Sequence, residues 1–190
     1  VLKSAALSAL AASVPLAVPR WSMALAQDGS RIFTLAHPAG FPDLDPATSF
    51  SNDGAVLANV YEGLTRYIPG KDDALATLAP VLATGWETSA DGLSWTFKLR
   101  EGVKFHDGAD LTAEAVKGSI ERTIRIAGGA AFIWSPVTAI TAPDPLTVVF
   151  TLSSPQPLDV IAASGFAAWI MSPAAFDKDN AWFNAGNDAG

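Results

Sequence analysis

A stretch of alternating hydrophobic and polar residues runs from Leu93 to Arg100. This period of two is typical of a strand that buries one face and exposes the other to water. The dipeptide Asp91-Gly92 directly precedes it and predicts a two-residue type I′ turn, because Asp and Gly tolerate the positive φ angles that such a turn requires. The pattern therefore predicts a β-hairpin. Its buried positions are Leu93, Trp95, Phe97 and Leu99.

A capped helix is predicted after a turn at residues 106–108. Thr112 is a favourable N-cap residue, and Glu114 places a carboxylate in the first turn, where it interacts favourably with the helix dipole. Hydrophobic residues then recur at helical spacing, which indicates a helix that packs one stripe against a sheet. The stripe consists of Ala113, Val116, Ile120 and Ile124.

The rest of the chain predicts shorter elements, so strands and helices are mixed along the sequence. In chain order these are a strand over 31–36, a helix over 56–64 capped by Asn52 or Asp53, a hairpin of strands 137–141 and 146–152 turning over 142–145, a weak helix over 157–164, a strand over 167–171 and a helix near Ala174.

The first 26 residues have the pattern of an export signal. A positive start at Lys3 is followed by an apolar run over 5–18 and by the cleavage box Ala24-Leu25-Ala26. The run is too short to span a bilayer, which needs about 20 apolar residues. A buried N-terminal helix is the alternative, but Pro15 and Pro19 would interrupt it. We therefore expect a signal peptide over 1–26.

Composition excludes several classes of function. The net charge of −7 argues against nucleic-acid binding, which requires a basic surface. The sequence contains no cysteine, so we expect no disulfides, thiolate metal sites, cysteine nucleophiles or lipid anchor on an N-terminal cysteine. No cofactor is predicted.

Two clusters of polar residues have catalytic or metal-binding interpretations. His106-Asp107 suggests part of a hydrolase triad, but the context favours a turn, and no G-x-S-x-G motif for a nucleophile occurs. Asp43 and Asp45 suggest acid–base chemistry or a cation site, although Asp45 precedes Pro46 and a turn-capping role is favoured. The sequence therefore predicts no catalytic residue and no metal site.

The segment from Leu78 to Arg122 reads LAPVLATGWETSADGLSWTFKLREGVKFHDGADLTAEAVKGSIER. It resembles the solute-binding proteins of peptide/nickel-type (family 5) ABC importers. Leu44-Asp45-Pro46 and Tyr61-Glu62-Gly63-Leu64 fit motifs of the same family. Within the segment, the matching residues are Pro80, Leu82, Ala83, Trp86, Asp91, Gly92, Trp95, Phe97, Leu99, Arg100, Phe105, His106, Asp107, Gly108, Thr112, Ala113 and Val116.

The resemblance implies the fold class and the domain organisation. It implies an α/β chain with mixed sheets and flanking helices, the N-terminal portion of a two-lobed periplasmic binding protein. Residues 27–55 would supply the first strand and the cleft segment of lobe one, 56–171 a smaller α+β subdomain, and 172–190 the return into lobe one. Family members are considerably longer, so we expect the chain to be a fragment.

The resemblance also implies a function without catalysis. It implies a monomeric periplasmic component of an ABC importer that captures di- or oligopeptides, or a solute such as a nickel chelate, and delivers them to an inner-membrane permease. An exported interaction or chaperone-like module and an exported hydrolase are the alternatives. In similar proteins the segment after L-D-P lines the cleft and offers backbone hydrogen bonds. The expected ligand-binding residues are Thr48, Ser49, Phe50, Ser51 and Asn52, with Phe132 and Trp134 on a second wall.

Overall fold

The computed structural model describes residues 40–41, 43–70 and 77–190, and a four-stranded sheet forms their centre. All of them belong to one compact unit, Pro38–Gly190. The predicted signal peptide and the predicted strand over 31–36 lie outside the described residues. The chain contains both strands and helices, joined by turns and loops, so the predicted mixed α/β class is confirmed.

The strands are β1 (Thr65–Ile68), β2 (Thr77–Pro80), β3 (Ala83–Thr88), β4 (Ser94–Leu99), β5 (Val137–Asp144) and β6 (Thr147–Leu152). The α-helices are α1 (Gly54–Leu57), α2 (Ala113–Ile126), α3 (Leu158–Ile161) and α4 (Asn180–Asn184), and two 3₁₀ turns cover Ala131–Trp134 and Pro173–Ala175. The central sheet has the order β3-β4-β6-β5, and β1 pairs with β2 in a separate ribbon. Every pairing between these strands is antiparallel.

The main core lies between the central sheet and helix α2. Phe97 on β4 and Phe150 on β6 are fully buried, and their rings meet edge to face with centroids 5.7 Å apart. Trp134 stacks on Phe150 with ring centroids 6.0 Å apart. Val116 and Ile120 cover this layer from α2. The predicted alternation is confirmed at Trp95, Phe97 and Leu99, while Leu93 is only half-buried and lies just before β4. The first three positions of the helical stripe are also confirmed, while Ile124 is 38% exposed.

The termini of α2 follow from local chemistry. The Thr112 hydroxyl accepts a hydrogen bond from the Ala115 N–H at 3.2 Å, as predicted for an N-cap. At the other end Ala127 adopts a left-handed conformation with φ 54°, and its N–H donates to the Thr123 carbonyl. This conformation stops the helix and directs the chain into the Gly128-Gly129 loop.

The hairpin between β3 and β4 differs from the predicted type I′ turn. Among residues 89–93, only Gly92 has a positive φ, and its N–H donates to the Ser89 carbonyl at 2.9 Å. The loop is therefore a four-residue turn with glycine in the left-handed position. Asp91 contributes through its side chain, because its carboxylate accepts from the Leu93 N–H and the Ser89 hydroxyl. These hydrogen bonds favour the charged form and lower the pKa of Asp91.

Three other predicted elements are shorter or displaced. The helix expected over 56–64 ends at Leu57, after which the chain turns so that Glu62 forms a bridge with Ile170. That single bridge replaces the strand expected over 167–171. In the second hairpin β5 continues to Asp144, so the turn lies two residues later than predicted, and the Asp144 carboxylate accepts the Leu146 N–H. Tertiary pairing has overridden local propensity at these places.

A smaller hydrophobic cluster joins the two ends of the described chain. It contains Leu57, Tyr61, Trp169, Met171, Ala175, Phe183 and Ala189. Burial raises the pKa of Tyr61 to about 12, and its hydroxyl oxygen accepts the Ala189 N–H at 3.2 Å.

Within the described residues, no helix is long and apolar enough to cross a membrane.

We expect Phe150→Ala to lower the free energy of unfolding by about 3–5 kcal/mol, because it removes a buried ring and leaves a cavity between Phe97 and Trp134. Thr151→Ala is the matched control: the neighbouring side chain is exposed, and its loss should cost less than about 0.5 kcal/mol. Urea denaturation of both variants measures the difference, and equal midpoints would contradict the proposed location of the core.

Candidate ligand-binding site

The structure brings the two segments expected to bind ligand into contact. The ring of Phe50 meets the ring of Phe132 edge to face, with centroids 6.1 Å apart. Phe50 is 54% exposed and Phe132 is 65% exposed, so both rings present apolar surface to solvent. Exposed aromatic pairs of this kind are typical of surfaces that bind a partner or a ligand.

A third aromatic ring, which the sequence reasoning missed, completes this cluster. Phe166 lies edge to face with Phe50 at 5.4 Å and comes from the loop after α3. A Cβ at Gly54 would lie 2.8 Å from the Phe166 ring, so glycine leaves the space that the ring occupies. We call Phe50, Phe132 and Phe166 the aromatic cluster. No motif marked Phe166, because its neighbours in space are more than 30 residues distant in sequence.

The position of the 48–52 segment depends on glycine at 129. A Cβ there would lie only 2.3 Å from the Thr48 carbonyl oxygen, and the residue has a φ of 51°. Only glycine avoids both the backbone collision and the strain of that conformation. The Thr48 hydroxyl donates to the Asn180 side-chain oxygen at 3.0 Å. Thr48 is thus held between the Gly128-Gly129 loop and helix α4.

A buried ion pair attaches the same segment to α2. Arg122 donates two hydrogen bonds to the Asp45 carboxylate, at 2.7 and 2.6 Å, and both side chains are 1% exposed. Arg122 also donates to the Lys178 carbonyl at 2.8 Å and lies over the ring of Phe183. The Asp45 carboxylate accepts the Ala47 N–H, which confirms its predicted turn-capping role.

The remaining expected residues of the 48–52 segment have different exposures. The Ser49 side chain is 1% exposed and its hydroxyl donates to Asp53, so it faces inward. Ser51 and Asn52 are exposed. Within the described part of the chain, the Phe50 N–H and carbonyl form no backbone hydrogen bond. Phe50 therefore offers an unpaired donor and acceptor beside its exposed ring.

Trp134 does not join the exposed surface. Its side chain is 1% exposed, and its indole N–H donates to the Ala167 carbonyl at 2.7 Å. Stacking on Phe150 places the Trp134 ring in the core, so of the two residues expected on the second wall Phe132 is exposed and Trp134 is buried. Trp134 and Phe132 both line an apolar groove of about 320 Å³. The groove is lined by Ile124, Ala127, Ala131, Phe132, Trp134, Ser135 and Val137.

The residues considered for a hydrolase triad form separate pairs. The His106 imidazole contacts Asp188 at 2.7 Å, whereas Asp107 accepts from the Ser172 hydroxyl at 2.5 Å. No histidine lies between that serine and its carboxylate, so the pair lacks the base that would activate a nucleophile. The predicted turn is confirmed by the Gly108 N–H, which donates to the Phe105 carbonyl.

The described residues contain no cluster of candidate metal ligands. Across 40–41, 43–70 and 77–190, no three His, Asp or Glu side chains are grouped closely enough to hold an ion.

Comparison with known proteins defines first a class and then a family. Residues 77–189 match the sequence profile described as "Bacterial extracellular solute-binding proteins, family 5 Middle". This match covers more than half of the chain, so the chain belongs to the class of bacterial extracellular solute-binding proteins. It belongs to family 5 of that class. Proteins of this family are components of transport systems rather than enzymes.

Individual relatives support the assignment. The chain is 38% identical over 152 residues to the probable D,D-dipeptide-binding periplasmic protein DdpA of Escherichia coli K12, covering 77% of this chain and 30% of DdpA. It is 33% identical over 170 residues to the glutathione-binding protein GsiB of the same strain, covering 87% and 32%. The chain thus spans about a third of the length of these relatives.

A solved structure also shares the fold. NikA from Brucella suis, in complex with Fe(III)-EDTA, superimposes with a TM-score of 0.66 at 29% identity, covering 75% of this chain and 28% of NikA.

We expect Asp45→Asn to lower the free energy of unfolding by about 3–5 kcal/mol, because it leaves the Arg122 guanidinium buried without its counter-charge. Asp110→Asn is the control. The Lys104–Asp110 pair is also short, at 2.5 Å, but exposed, so its loss should cost at most about 1 kcal/mol. Guanidinium denaturation compares the two variants. Similar losses of unfolding free energy in the two variants would contradict the conclusion that the buried pair attaches the 48–52 segment to α2.

The Ser172 hydroxyl, with help from the Ala109 N–H, holds the pKa of the Asp107 carboxyl below its usual value. We expect Ser172→Ala to raise that pKa towards the ordinary value. A lowered pKa stabilises the fold above the pKa of the unfolded chain, and this contribution is lost as the pH falls through the folded value. The wild type should therefore lose more stability than the variant on acidification below about pH 4.

NMR titration of the Asp107 carboxyl carbon measures this directly. Ser89→Ala, which removes the equivalent hydroxyl from Asp91, should leave Asp107 unchanged. An unaltered Asp107 titration in Ser172→Ala would show that the hydrogen bond does not set its pKa.

Proposed function

We propose that this chain is part of the solute-binding component of an ABC importer, acting in the periplasm and binding di- or oligopeptides. The observation that carries the proposal is the exposed Phe50–Phe132 pair beside a backbone donor and acceptor that have no partner in the described chain. The similarity to a dipeptide-binding periplasmic protein supports a peptide rather than another solute.

The chemistry of an extended peptide fits this arrangement. A peptide backbone pairs with exposed main-chain groups irrespective of its side chains, and pockets beside that backbone then select among side chains. Phe50 supplies main-chain groups, and Phe132 supplies an apolar wall. Ser51 and Asn52 extend the exposed edge with hydroxyl and amide groups.

Transport requires a second partner. We infer that the loaded protein, a monomer, delivers its solute to a permease in the inner membrane. In this proposal residues 27–55 belong to lobe one, 56–171 form the smaller subdomain, and 172–190 return to lobe one. Closure of two lobes around the solute would let the permease distinguish loaded from empty protein.

The test is calorimetric titration of the full-length gene product with short peptides and with analogues N-methylated at single positions. We expect saturable binding of peptides and weaker binding, by about fivefold or more, when methylation removes one N–H that pairs with the protein backbone. Gly129→Ala should also weaken binding, because its Cβ displaces the Thr48 carbonyl and the segment that follows.

Gly102→Ala is the matched control for that variant. Gly102 also has a positive φ, 76°, but open space surrounds its Cβ direction, so only backbone strain is added. Binding in Gly102→Ala should equal that of the wild type. No saturable binding of any peptide would overturn the proposal. Saturable binding of nickel chelates would then favour that solute, and capture of unfolded chains or turnover of an ester would favour an interaction module or a hydrolase.

A further inference from the structure

We propose that the aromatic cluster and the groove beside it form a subsite for an uncharged apolar side chain of the ligand, aromatic or branched aliphatic. This inference rests on the proposed function and adds the chemistry that the site selects. Such a subsite would bind peptides with an apolar side chain in preference to charged solutes.

The first argument is the distribution of charge along the sequence. The chain is 16% charged, yet the three segments that meet at the aromatic cluster contain no Asp, Glu, Lys, Arg or His. These segments are 46–52, 126–143 and 160–176, and they carry Phe50, Phe132 and Phe166 respectively. Charged residues elsewhere make the net charge −7, so this neutral region is local.

The second argument is that the charged residues at the ends of these segments are already engaged. Asp53 is 1% exposed and accepts from Ser49, and Arg125 donates to the Phe176 carbonyl. Asp159 accepts from the Trp86 indole N–H. Asp45 forms an ion pair with Arg122, and Asp177 forms one with Lys178. Asp144 accepts a hydrogen bond from the Leu146 N–H. Each of the six makes at least one hydrogen bond or ion pair within the described residues, and the second carboxylate oxygen of Asp53, which has no partner, is buried.

The third argument is shape. Phe132 belongs both to the aromatic cluster and to the apolar groove, whose volume is about 320 Å³. The groove contains one polar side chain, Ser135, and its other lining residues are apolar. A ring or branched chain placed there gains apolar contacts on several sides and edge-to-face contacts with Phe132. A carboxylate or ammonium would lose hydration without gaining a partner.

The experiment measures the affinity of the full-length gene product for peptides of the form Ala-X-Ala, with X being Phe, Leu, Ala, Asp or Lys. We expect Phe and Leu to bind about tenfold or more tightly than Ala, and Asp and Lys to bind more weakly than Ala. In Phe132→Ala the advantage of Phe over Ala should fall about tenfold, with little change for Ala itself.

Tyr67→Ala is the matched control, since Tyr67 is 48% exposed on β1 and belongs to neither the aromatic cluster nor the groove. It should leave the order of affinities unchanged. If peptides bind but those with Asp or Lys at X bind as tightly as those with Phe, the proposed subsite is wrong while the proposed function stands. The same holds if Phe132→Ala retains the preference. If no peptide binds, the proposed function itself fails.

Discussion

The bidentate ion pair between Asp45 and Arg122 is the constraint on which the site depends. Two charges removed from water are tolerated only when each satisfies the other, and here both guanidinium ends reach the carboxylate. The pair fixes the start of the 45–49 turn against α2, while the bond from Arg122 to the Lys178 carbonyl adds the segment before α4. One side chain thus holds together three parts of the chain that are distant in sequence.

Packing of the Gly128-Gly129 loop against the Thr48 carbonyl also fixes the position of the 48–52 segment. The Gly128-Gly129 loop follows directly from the left-handed end of α2, so the helix that carries Arg122 also determines where that loop lies. The Thr48 carbonyl rests against it at a distance that admits no side chain. Phe50 and Phe132 therefore face each other because their two segments are attached to the same helix. Their ring contact is a result of this arrangement rather than its cause.

Sequence reasoning succeeded where one local rule determined the structure. The alternation in β4, the Thr112 cap and the glycine turn at 108 each rest on residues close in sequence. It failed where distant groups decide, since the 56–64 helix yields to a bridge with Ile170. It also failed at Asp91-Gly92, where hydrogen bonds to the nearby Ser89 and Leu93 accompany a longer turn. The contact of segment 48–52 with Phe132 was expected only through the family resemblance. Neither Phe166 nor the partner of Asp45 had a local signal, because both depend on the tertiary fold.

The exposed rings of Phe50 and Phe132 take no part in the hydrogen bonds and ion pairs that hold the segments in place. Substitution at these two positions changes what the surface attracts but leaves its supports intact. In the proposed site, binding preference can therefore change over evolution through a few point substitutions without a compensating change in the core. A protein engineer seeking a different solute would begin with these two rings and retain Asp45, Arg122 and Gly129.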